Sequence, residues 1–198
     1  ELEIADNTVI IFMSDNGGFS LRPRAGELHT HNSPLNSGKG AAYEGGIRVP
    51  MIVKWPGKAT PGSKTNKMVI IEDFFPSVLE MAQIKEYKKV QPVDGKSFVP
   101  VLINPEKETG ARDLFWHFPN NWGPTGPGIG ATSTIRSGDW KLIYYYHDQR
   151  FELFNIRLLF PFQYKISMPH LLFQLLSYVV CLHLMLQFPL FSQRSSCC

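Results

Sequence analysis

Thr8-Val9-Ile10-Ile11-Phe12-Met13-Ser14-Asp15-Asn16-Gly17-Gly18 carries two signals in succession. The first six residues form an unbroken apolar and β-branched run, which predicts a strand buried on both faces. The run stops at Ser14, and the Asp-Asn-Gly-Gly that follows predicts a tight polar turn. Open α/β sheets place ligand sites at such strand ends. A carboxylate beside an amide carbonyl, Asp15 and Asn16, offers the hard oxygen donors that calcium and magnesium take, and two glycines let the backbone bend beneath them. The same letters also spell an ordinary Asx turn closing a strand.

Working outward, residues Phe19 to Ala42 mix Gly, Pro, Ser, Asn and His without apolar periodicity, which predicts a long surface loop of the kind that often carries function. Within it Lys39 stands between Gly38 and Gly40, so its long stem can reach an anion while the neighbouring backbone approaches unobstructed. A third cluster, Glu44-Gly45-Gly46-Ile47-Arg48-Val49-Pro50, leads into a second apolar strand from Val49 to Trp55, stopped by Pro56-Gly57. Glu44 and Arg48 are expected to hold loop and strand together as a charge-assisted pair.

Further along, Phe74, Phe75, Val78, Leu79 and Ala82 recur at helical spacing, so Glu72 to Ala82 is expected to be a short amphipathic helix packed on the sheet, with Pro76 near its first turn. Phe98 to Leu102 reads as a brief apolar element and Asn120 to Gly130 as a second loop. Thr132 to Ile135, Trp140 to Tyr146 and Arg150 to Phe154 then alternate across Ser137-Gly138-Asp139 and His147-Asp148-Gln149, which predicts a small antiparallel meander. There are no internal repeats.

The series SDNGG, a loop, GKG and YEGGIRVP followed by a strand ending in WPG closely resembles the sulfatase family, within the alkaline-phosphatase-like superfamily. The resemblance continues through Val93-Asp94-Gly95-Lys96-Ser97-Phe98, Trp116-His117-Phe118, Arg136-Ser137-Gly138-Asp139-Trp140-Lys141-Leu142-Ile143 and Glu152-Leu153-Phe154-Asn155, covering roughly residues 6 to 156 as the C-terminal portion of an arylsulfatase. It implies an α/β fold: part of the sulfatase sheet sandwiched by helices over residues 1–110, a small antiparallel C-terminal sheet over 111–156, and a hydrophobic tail of separate origin over 157–198.

For function, the resemblance implies a calcium-dependent hydrolase of sulfate esters, on a glycan or an aryl alcohol, whose nucleophile is a formylglycine made from C-x-P-x-R or S-x-P-x-R. Asp15 and Asn16 match the metal-ligand positions. Lys39 matches the lysine that contacts a sulfate oxygen near the leaving alcohol, where a fixed cation stabilises developing negative charge. His117 is a candidate for the wall of the substrate pocket, an equal candidate for a structural histidine, and ranks above His29 and His31.

No Cys or Ser in the sequence is followed by x-Pro-x-Arg: Pro23 falls one place late after Ser20, and Ser167 has Pro169 but Leu171 in place of Arg. The formylglycine is therefore expected in an N-terminal part outside this sequence, and the chain alone is expected to bind calcium weakly and turn nothing over. Two alternatives stay open, a non-catalytic sulfate- or glycan-binding remnant and a phosphohydrolase of the same superfamily. The latter would use Thr or Ser and usually two transition-metal ions held by His and Asp.

Composition excludes little else. The chain has 198 residues, 43% of them hydrophobic, and its 20 basic and 17 acidic side chains leave a formal charge of +3, too even a mixture to imply nucleic acid as partner. Cys181, Cys197 and Cys198 form no zinc spacing and no even disulfide set. Residues 1–7 show no secretory signal, so a secreted, lysosomal or periplasmic location rests on the resemblance alone. From Leu153 onward there is no Asp, Glu or Gly, and Leu171 to Phe191 is long enough to score as a membrane span. Pro189, Gln174, Gln187 and His183 weigh against a span, and sequence read out of frame or through an intron is the favoured explanation of the tail.

Overall fold

The computed structural model describes residues 2–19, 31–88, 90–121, 123 and 126–157, with the backbone of 165–166. His29, Ser20, Ser167, the three cysteines and the apolar stretch 171–191 lie outside the described residues. Among the described residues no helix is long and apolar enough to cross a membrane. The chain divides into two compact units, Glu1–Ser14 with Pro50–Gly110, and Asp15–Val49 with the chain from Ala111 onward.

In the first unit, β1 (Ile10–Met13) and β2 (Met51–Lys54) pair antiparallel, with Ile10 opposite Lys54 and Phe12 opposite Ile52. Both expected strands form, but β1 is not buried on both faces: Ile10 is 52% and Phe12 68% exposed, whereas Ile11 and Met13 are half-buried. A strand in a two-stranded sheet alternates one covered and one open face, and the run of apolar residues conceals that period.

The expected helix forms as a 3-10 turn (Ile71–Asp73) running into α2 (Phe74–Met81). Pro76 is tolerated because it falls in the first turn, where no intrahelical donor is lost. The helix stops at Gln83, which takes the left-handed conformation (φ 59°), while Ile84 N–H donates back to Leu79 O. Its anchoring contacts run to α3 (Val99–Ile103): Phe74 stacks edge-on against Phe98 at 5.2 Å, and Ser77 bridges the two elements. Ser77 Oγ donates to Asp73 O at 2.6 Å and accepts Phe98 N–H at 2.9 Å. Because Ser77 is wholly buried, Ser77→Ala leaves the Phe98 N–H without a partner and is expected to lower unfolding free energy by about 1–3 kcal/mol in urea titration.

The second unit contains the five-stranded antiparallel sheet β3 (Asp113–Phe118), β4 (Thr132–Ser137), β5 (Trp140–Tyr145), β6 (Arg150–Asn155) and β7 (Lys165–Ile166), in sequence order. The meander expected from residue 132 onward is present, its turns carried by Gly138 (φ 55°) and Gln149 (φ 51°). One face of the meander meets the segment Ala41–Glu44: Ala41, Tyr43, Ile143, Tyr145 and Phe154 form a buried cluster, with Tyr43 edge-on to Phe154 at 5.4 Å.

Candidate functional site

The three clusters picked out in the sequence meet in the second unit through their backbones. A short helix, α1 (Glu44–Ile47), carries Gly45 and Gly46, and the turn after Asn16 rests on it: Gly17 N–H donates to Gly46 O at 2.8 Å. Lys39 N–H donates to Gly18 O at 3.1 Å, which ties the GKG turn to the same place. Asn32 stitches the arrangement from the side. Its Oδ1 accepts Gly18 N–H at 2.8 Å, and its amide donates to Gly18 O and Ser37 O at 2.9 Å each.

Such closeness requires glycine. A Cβ on Gly17 would stand 1.7 Å from Gly45 O, and one on Gly46 would stand 2.1 Å from Ala41 O. The glycines are therefore needed for room. Neither residue lies in the left-handed region that favours glycine for its backbone freedom.

Asp15 is exposed and Asn16 half-buried at the head of this framework, and the Asn16 amide donates to Asp15 Oδ1 at 2.6 Å. Calcium takes about six to eight oxygens. Among the described residues no group of three or more His, Cys, Asp or Glu side chains could hold a metal. Asp15 and Asn16 by themselves supply fewer oxygens than calcium takes.

Glu44 departs from the expected pairing with Arg48. Its carboxylate points into the meander, where Lys141 Nζ lies 2.9 Å from Oε1 and Arg136 Nη1 lies 3.7 Å from Oε2. Arg48 instead sits exposed at the end of α1, its backbone N–H on Glu44 O at 2.8 Å. Helical spacing places residues four apart on one face, but α1 is too short to hold the pair there and turns Glu44 inward. Glu44 is 3% exposed and Lys141 fully buried. Burial pulls the Lys141 ammonium below its ordinary pKa, and Glu44 opposes that by favouring the charged form.

Beside this pair, Glu152 Oε2 accepts Tyr43 OH at 2.7 Å and Tyr145 OH at 2.9 Å, while its Oε1 takes Arg150 Nη1. Burial, then Glu152, pushes Tyr43 up to about 12, and burial with Tyr43 and Glu152 raises Tyr145 as well, so both stay neutral donors. The guanidinium of Arg150 covers the Tyr145 ring at 3.6 Å. Sequence reasoning missed these roles of Lys141 and Glu152. The signal was present, since Lys141 shares a period-2 face with Ile143 and Tyr145, as does Glu152 with Arg150 and Phe154.

His117 sits on β3 opposite Ser133, and its Nδ1 lies 2.7 Å from Ser133 Oγ, which is in turn 2.8 Å from Tyr146 OH. Burial lowers the imidazole from its ordinary pKa, favouring the neutral ring. His31 is exposed on the loop. A recess of about 380 Å³ in the first unit, lined by Leu79, Ile84 and Tyr87 among others, contains none of these residues.

Comparison with known proteins finds the same regions. Residues 38–158 match the family described as N-sulphoglucosamine sulphohydrolase, C-terminal. A curated protein named sulfatase, from Formosa agariphila, is 44% identical over 161 residues, covering 77% of this chain and 27% of that protein. Steryl-sulfatase of Mus musculus is 31% identical over 122 residues, covering 61% of this chain and 19% of its own. Among solved structures, one titled as Ps i-CgsB in complex with k-i-k-neocarrahexaose superposes with a TM-score of 0.58 at 30% identity, covering 77% of this chain and 31% of that one. The chain therefore spans about a quarter or less of the curated relatives it matches.

Proposed function

This chain belongs to the sulfatase family, and on that premise we propose that it forms one wall of a calcium-centred site that hydrolyses sulfate esters, with the nucleophile supplied from outside these 198 residues. The observation that carries the proposal is the backbone framework joining the three Gly-rich clusters, Gly17 to Gly46 and Lys39 to Gly18. It brings the turn holding Asp15 and Asn16 next to the turn holding Lys39.

In this proposal Asp15 and Asn16 give oxygens to the cation, and Lys39 places its ammonium on a sulfate oxygen beside the leaving alcohol. Calcium, when bound, would neutralise charge on the sulfuryl oxygens and orient the ester for in-line attack. His117, neutral in its half-buried position on β3, would face the substrate as a hydrogen-bonding wall. Relatives include a steryl-sulfatase and a solved protein in complex with a neocarrahexaose, so both glycan and aryl or steroid esters stay within the proposed substrate class. A secreted, lysosomal or periplasmic setting goes with that class.

Calorimetry with calcium chloride is expected to show weak binding, with a dissociation constant on the order of 10⁻³ M, lost in Asp15→Asn. The same protein is expected to leave a chromogenic aryl sulfate intact, and turnover by the pure chain would show that the nucleophile lies within it. Sulfate binding that needs Lys39 but ignores calcium would favour a non-catalytic anion-binding role instead.

A further inference from the structure

Glu44 opens α1, and α1 is the element on which the Asp15-Asn16-Gly17 turn rests. A four-residue helix with two glycines has almost no stability of its own, so its placement has to be imposed from outside. Two side-chain links impose it: Tyr43 OH on Glu152, and the carboxylate of Glu44 between Lys141 and Arg136. The second link takes a carboxylate and an ammonium almost completely out of water. Apolar side chains of the same volume would stabilise the unit as well or better. What they would not supply is direction, since an ammonium 2.9 Å from Oε1 fixes where that one oxygen, and the helix behind it, must lie.

We propose that Glu44, Lys141 and Arg136 form a positioning device for the metal-binding turn: the triad sets the place of α1, and α1, through Gly45 and Gly46, sets the place of Gly17 and hence of Asp15 and Asn16. None of the three is assigned a contact with the cation or the ester. The consequence for calcium rests on the function proposed above, whereas the placement of the turn does not, and the two are measured separately.

The test uses the full chain without metal and follows amide hydrogen exchange in wild type and in the double variant Glu44→Met with Lys141→Met, which removes the buried pair. Exchange at Gly17 and Lys39, whose amides donate to Gly46 O and Gly18 O, is expected to rise about tenfold or more while the β4–β5 ladder stays within about twofold of wild type. Unchanged protection at Gly17 and Lys39 would overturn the proposal, and so would an equal loss throughout the ladder. If the double variant does not fold, Glu44→Gln, which keeps shape and removes charge, is judged by the same criterion. In a second arm, calcium chloride is titrated into wild type and Glu44→Gln: a tenfold or greater weakening supports the coupling, and equal affinity overturns it. A wild type that binds no calcium removes the metal site from the function proposed above and leaves the exchange result to decide the positioning.

Discussion

Lys141→Met alone is expected to cost about 3–5 kcal/mol in a urea or thermal titration, more than any other single truncation on the meander. The substitution keeps the length of the side chain and removes its charge, so packing against Trp116, whose ring centroid lies 5.9 Å from the ammonium, changes little. What changes is Glu44, left 3% exposed with Arg136 at 3.7 Å as its remaining cation. A buried carboxylate left with only that more distant partner either stays charged at a large desolvation cost or takes up a proton, and both routes destabilise the fold at neutral pH.

Adding Glu44→Met to Lys141→Met is expected to return stability to within about 1 kcal/mol of wild type, because the charge and its partner leave together. Arg136, whose side chain is already 21% exposed, can turn to solvent. A double variant as unstable as Lys141→Met would instead place the loss in packing. Recovery of global stability without recovery of protection at Gly17 is the combination that separates an ion triad kept for placement from one kept for strength.

How much of this was legible beforehand depends on how local each determinant is. The strands β4, β5 and β6 follow from alternation and from turns at Ser137-Gly138-Asp139 and His147-Asp148-Gln149, all within a few residues. The strand β3 was missed because Asp113-Leu114-Phe115-Trp116-His117-Phe118 is bulky at nearly every position and hides its period; only pairing with β4 reveals it. The helix α1 was missed because Glu-Gly-Gly-Ile has poor helix propensity, and its one turn is imposed by contacts with Asn36 and Lys141. The candidate site was legible as a set of residue types in a given order, and the framework binding them was not. Backbone bonds such as Gly17 to Gly46 leave no mark on composition except the glycines themselves. The error at Glu44 has the same origin, since a partner four residues away is visible in the sequence and one on β5 is not.

Gly17→Ala is expected to abolish calcium binding and to cost about 3 kcal/mol, at the upper end of what one added methyl does in a packed interior. The new Cβ would stand 1.7 Å from Gly45 O, 2.7 Å from Gly45 C and 2.9 Å from Gly46 Cα, all backbone atoms, so no side chain can swing aside to admit it. Retreat of α1 is blocked from behind, because Gly45 and Gly46 are themselves pressed against the carbonyls of Asn36, Ser37 and Ala41. The turn must therefore move, breaking Gly17 N–H to Gly46 O and displacing Asp15 and Asn16 with it. Gly57→Ala supplies the contrast: Gly57 has φ +68° and nothing within 4 Å of the added atom, so it bears only the left-handed strain of about 1–2 kcal/mol and leaves calcium affinity untouched. Wild-type stability and calcium affinity in Gly17→Ala would mean that the Asp15-Asn16 turn does not rest on α1, and the framework that joins the three clusters would go with it.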